Sequence, residues 1–142
     1  MKTNQDKELF ENWLAITNIQ MNISNKLEDA LRKDHNLSLK EFYVLYFLSE
    51  TNEKKLRLQQ LQELVGLSQS AMSRLVARLE EKSCGVLERL VCEDDRRGIY
   101  TRLTELGEEK LQTALNTFHH VLRSCFAKGN LQQEIQSFIQ KL

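Results

Sequence analysis

The chain has 142 residues, 41% hydrophobic and 28% charged, with 20 Lys+Arg balancing 20 Asp+Glu. That length fits one domain with helical extensions and enough apolar material for a packed core. The zero net charge argues against a protein that coats nucleic acid by bulk charge, and three cysteines (Cys84, Cys92 and Cys125) without a CxxC spacing argue against a disulfide framework or a zinc ribbon.

The opening "MKTNQDKELFENW" is interrupted by Asp6, Glu8 and Glu11, unlike the apolar core of a signal peptide. No stretch approaches the roughly 18 consecutive apolar residues of a membrane span. The expectation is a cytoplasmic protein with no membrane partner. Proline is absent and four of the five glycines fall between positions 66 and 107, which predicts long helices broken in the middle of the chain. Leu9, Trp13, Ile16, Ile23, Leu27 and Leu31 recur at three-and-four spacing, so Asp6 to about Lys33 reads as one helix. In "LSLKEFYVLYFLSE", Ser38 with Glu41 three residues on forms a capping box for a largely buried helix.

"RLQQLQELVGLSQSAMSRLVARLEEK" is the most informative segment. A short helix from about Arg57 to Val65 buries Leu58, Leu61 and Leu64, and Gly66 ends it as a left-handed C-cap. Ser68 caps a second helix running to about Lys82. Ala71, Met72, Leu75, Val76 and Leu79 form its inner face; Gln69, Ser70, Ser73, Arg74, Ala77 and Arg78 face outward. Two short helices around a glycine turn, the second with short polar residues and arginine outside, form a helix-turn-helix pattern. Ser and Gln can donate and accept at base edges, and Arg can pair with guanine.

Val86–Cys92 and Gly98–Leu103 are β-branched and aromatic runs separated by Glu93–Arg97, and they read as a hairpin. A hairpin after a helix-turn-helix is a wing. Arg96 and Arg97 at its tip suit a minor groove, which concentrates negative potential, and Asp95 would orient Arg97. Residues 57–102 carry eight cations against seven acids, and seven of the eight are arginine, the better residue for bidentate contacts. Thr104 then caps a final helical region, with Glu105, Glu108 and Glu109 in its first turns. Leu106, Leu111, Leu115, Phe118, Leu122 and Phe126 continue an apolar stripe, and Leu131, Ile135, Phe138, Ile139 and Leu142 form a last short one. Amphipathic helices at both ends exceed what the central lobe can cover, which predicts an oligomer interface. A two-fold dimer would match a palindromic DNA site.

The helix order, "LSLKEFYVLYFL", the helix-turn-helix segment and "EDDRRGIYTRLTELGEEKL" together resemble the MarR family of bacterial transcription regulators over nearly the whole length. The resemblance implies a mainly α fold with a small β-wing, in one domain over 1–142. Residues 1–36 and 104–142 would be dimerisation helices and 37–103 the winged helix-turn-helix lobe. It implies a homodimer that binds double-stranded DNA, typically as a repressor. Ser68, Gln69, Ser70, Ser73, Arg74 and Arg78 would face DNA from the recognition helix, and Arg96 and Arg97, oriented by Asp95, from the wing. The chain departs from the family pattern by inserting Ser83-Cys84 before the wing and by placing Leu90 where a second basic residue is expected.

The resemblance also implies a small aromatic or lipid-like effector, for which Trp13, Phe42, Tyr43 and Tyr46 are the candidate pocket, with no cofactor required. An alternative trigger is oxidation of Cys84 or Cys92, which flank the first wing strand. His119 and His120 point about 100° apart on a helix and cannot share a metal. No Gly-rich phosphate loop, GxSxG or HExxH occurs, so no enzymatic activity is expected. A winged-helix dimer serving as a protein–protein adaptor without DNA binding is the competing function, supported by the neutral net charge and Leu90.

Overall fold

A computed structural model describes residues 3–81, 84–91, 99–129 and 131–142. The order is α1 (Asn4–His35), α2 (Leu39–Ser49), β1 (Lys55–Arg57), α3 (Leu58–Val65), α4 (Gln69–Glu80), β2 (Leu87–Val91), β3 (Ile99–Leu103), α5 (Glu105–Phe126) and α6 (Leu131–Gln140). The mainly helical fold with a small antiparallel sheet is the one the sequence predicts.

Local chemistry sets most boundaries. Ser38 and Glu41 make the expected capping box at the start of α2, and Thr104 caps α5 by accepting the Gly107 N–H at 3.0 Å. α1 begins earlier than the apolar stripe indicates, because Thr3 accepts the Asp6 N–H at 3.1 Å. It ends where Asn36 turns left-handed at φ 53°. The strand β1 is absent from the sequence reading. Three residues carry too little pattern to announce a strand, and this one forms because β3 offers its second edge. The sheet order is β1-β3-β2, with Arg57 and Leu90 both opposite Tyr100.

The core gathers Leu31, Phe42, Leu45, Leu48, Leu61, Met72, Val76, Leu79, Val86 and Leu111 between the helices and the inner face of the sheet. α1 packs along α5, where His35 Nε2 lies 2.7 Å from Thr117 Oγ1 and Phe42 of α2 stacks on Phe118 with centroids 4.5 Å apart. The N-terminal half of α1 leaves this body: Leu9, Phe10, Trp13, Leu14 and Ile16 are exposed, as are Phe138 and Ile139 of α6.

Candidate nucleic-acid interface

The turn between α3 and α4 is built by two residues. Gly66 takes φ 79° and donates its N–H to the Gln62 carbonyl at 2.8 Å. Ser68 is extended and accepts the Ala71 N–H at 3.2 Å. Between them Leu67 packs against the core. α4 then buries Met72, Val76 and Leu79, which fixes its rotation. Ser68, Gln69, Ser70, Ser73, Arg74 and Ala77 are all exposed. Among the described residues the result is a polar ridge of short side chains with Arg74 as its long cation, without bulk that would hold a groove away.

β2 and β3 rise beside that ridge. Arg102 donates from Nε to Glu88 at 2.7 Å across the pair. Arg57 of β1 reaches the Tyr100 hydroxyl at 3.3 Å from Nε and 3.2 Å from Nη2, while the Lys55 ammonium lies 4.7 Å from the same ring centroid. The expected tip residues Asp95, Arg96 and Arg97, together with Cys92, lie outside the described residues.

Residues 35–98 match the sequence model of the MarR family. AbsC, a MarR family transcriptional regulator from Streptomyces coelicolor, superposes with a TM-score of 0.85 at 22% identity, covering 100% of this chain and 92% of its own. Sco3205, a MarR family regulator from the same organism solved in complex with DNA, gives 0.82 at 24% identity, covering 99% and 87%. BldR, a transcriptional regulator from Sulfolobus solfataricus, gives 0.80 at 22% identity, covering 99% and 96%. Over residues 35–98 the chain is similar in sequence to the MarR family, and over its length it shares the fold of these regulators.

Within this fold, two expectations need correcting. Arg78 is exposed on α4 as expected, but its guanidinium is already engaged. Its guanidinium turns back over α2, where Nε and Nη2 donate to Glu41 at 2.6 and 2.9 Å. A helical wheel assigns direction to a Cβ, and a side chain as long as arginine can reach around it. The aromatic pocket does not assemble either. Phe42 is sealed in the core, while Trp13 and Tyr46 face outward on different parts of the molecule. A cavity of about 510 Å³ exists instead between α1, α5 and α6, lined by aliphatic residues such as Ile16, Ile23, Leu122 and Ile135. Of the four predicted residues only Tyr43 reaches it; burial raises its phenol pKa above the usual 10.0.

Cys84 is half-buried in the turn after α4, and Cys125 is buried. In that turn the N–H groups of Cys84 and Gly85 both donate to the Glu81 carbonyl, at 2.9 and 2.7 Å. Among the described residues, no three His, Cys, Asp or Glu side chains converge on a metal position, and no helix is long and apolar enough to cross a membrane. Sequence reasoning missed Glu41 as more than a cap. No local signal could reveal a partner 37 residues away.

Proposed function

We propose that the protein is a homodimeric, sequence-specific double-stranded DNA-binding transcription regulator, acting as a ligand-responsive repressor at a palindromic operator. The observation that carries this reading is the exposed ridge Ser68, Gln69, Ser70, Ser73 and Arg74 on α4, flanked by a wing. That Sco3205, with the same fold, was solved in complex with DNA supports it. In a two-fold dimer each α4 enters one major groove, and Arg96 and Arg97, oriented by Asp95, serve the adjacent minor groove or phosphates.

The effector fits the α1–α5–α6 cavity. Its walls are mainly apolar, aliphatic side chains together with Phe118 and Phe138, and Gln20, Ser24, Glu134 and the Tyr43 phenol are its polar points, which suits a small aromatic or lipid-like molecule. No cofactor enters the reading. A cysteine trigger is the second reading, favoured by the place of Cys84 between α4 and the wing, where an oxidised sulfur would disturb the turn.

The test is a fluorescence-anisotropy titration of DNA from upstream of the protein's own gene and of random genomic fragments at two salt concentrations. Wild type should bind with a steep salt dependence, and Arg74→Ala and Arg97→Ala should each lose affinity. Absence of binding to every fragment would favour the adaptor. Peroxide treatment that releases DNA from wild type but not from Cys84→Ser would establish the cysteine trigger.

A further inference from the structure

Arg78 sits where three segments meet. Besides its two bonds to Glu41, Nη2 donates to the Asn36 carbonyl at 3.1 Å, at the left-handed residue that ends α1. Glu41 is only 4% exposed, and the same carboxylate accepts the Ser38 N–H at 2.7 Å. On the other side of this junction Glu28 of α1 accepts the N–H of Leu39, the first residue of α2. The end of α1, the start of α2 and the last turn of α4 are thus joined by directional polar bonds.

Elsewhere on the seat of α4, Arg89 of β2 donates from Nη2 to Glu80, the last residue of the helix, at 3.2 Å. Met72, Val76 and Leu79 are apolar; their burial chooses which face of α4 turns to the core, but it is non-directional and sets no fine angle. A bidentate arginine fork fixes angle as well as distance; a lysine would supply the charge without the plane. A carboxylate this buried is costly without such a hydrogen-bonded partner.

We propose that Arg78 and Glu41 are positioning residues for DNA recognition, a clamp that sets the angle of α4 against the α1–α2 junction so that α4 follows α1. This rests on the DNA-binding reading above. Arg78 acts through Glu41 and does not read bases, and α1, the helix with the exposed apolar stripe, gains a rigid path to the DNA-facing ridge.

The test compares wild type with Glu41→Gln, Arg78→Lys, Arg78→Met and the double variant Glu41→Gln/Arg78→Met. The probes are a duplex that wild type enriches from a random pool and the unselected pool itself. Glutamine retains an acceptor for the Ser38 N–H, so the cap survives. The clamp predicts that Glu41→Gln and Arg78→Lys each lower the preference for the selected duplex about tenfold, the scale of one lost base contact, with unchanged salt slope. The double variant, free of the unpaired charge, should melt near wild type and still lack that preference.

A Glu41→Gln variant that binds as wild type, while Arg78→Met reduces the salt slope by about one, would overturn the clamp and make Arg78 a phosphate contact. A double variant with full preference would also overturn it, reducing the pair to charge satisfaction. If wild type enriches no duplex, the DNA reading fails and hydrogen exchange decides the clamp without DNA. Faster exchange in α4 than in α5 of Glu41→Gln supports it; unchanged α4 protection overturns it.

Discussion

Gly66 and Gly107 are glycines for different reasons, and their substitutions separate two costs. Gly66 has φ +79° with nothing within 4 Å of an added Cβ, so Gly66→Ala meets only backbone strain, about 1 kcal/mol. Gly107 lies in the first turn of α5, where a Cβ would fall 2.6 Å from Leu103 Cδ1 and closer still to the Val86 carbonyl oxygen. Backbone cannot swing aside as a flexible side chain can, so Gly107→Ala should cost about 3 kcal/mol. Urea denaturation of the two variants should give that order, and the reverse order would mean that α5 does not press on the wing base as described. Tyr43 makes a pH statement at the same scale. Burial raises its phenol pKa above 10.0, so the unfolded chain ionises first. This contribution to stability is therefore complete below pH 10.0 and is lost as pH rises through the folded value. The urea midpoint should fall above that pH in wild type and fall less in Tyr43→Phe; parallel profiles would contradict the burial.

At the scale of elements, α4 shows how one position can serve folding and binding separately. Ser68 caps α4 and sits at the exposed edge of the ridge. Ser68→Ala removes the cap and should cost about 1 kcal/mol. Ser68→Asp keeps a cap oxygen and adds a negative charge that the helix dipole favours, so it should melt at or above wild type. It should nonetheless bind DNA far more weakly, because that charge would face phosphates. Unimpaired DNA binding by Ser68→Asp would remove the start of α4 from the interface. These elements were legible in the sequence because their signals are local. Ser38-Glu41, Gly66, Ser68 and Thr104 each write a boundary within four residues, and the inner face of α4 follows from period alone. β1 was not legible, since Lys55-Leu56-Arg57 becomes a strand only when β3 lies beside it. The Arg78–Glu41 contact and the apolar cavity were equally hidden, because they depend on how α1, α2, α4, α5 and α6 meet. The aromatic residues suggested a pocket by their chemistry, but packing had already committed Phe42 to the core and left Trp13 beyond the lobe's reach.

The whole molecule has an unequal distribution of apolar surface, and this bears on its state in solution. The lobe around α2, α3 and α4 is well filled, whereas one end of α1 carries Leu9, Phe10, Trp13, Leu14 and Ile16 in the open. Leu9, Trp13 and Ile16 share a helix face, and Phe138 and Ile139 of α6 add to the exposed total. A soluble monomer rarely leaves such a contiguous patch in water. A second copy related by a two-fold axis would cover it with the same patch and leave no open interface to propagate. The chain's one tryptophan is Trp13, 62% exposed in the single chain, so its emission reports directly on this face. Sedimentation equilibrium should give about twice the chain mass of 16.6 kDa, with Trp13 emission shifted to the blue. Dilution should bring the mass down and the emission to the red together. Trp13 cannot report on its own substitution, so Leu9→Asp is the matching variant: it should sediment as a single chain with red-shifted emission and an intact helical spectrum. Its DNA affinity should fall steeply, because a lone α4 grips one half-site without the second. A chain that sediments as a monomer with solvent-exposed Trp13 at every concentration would refute the dimer and require a different cover for α1.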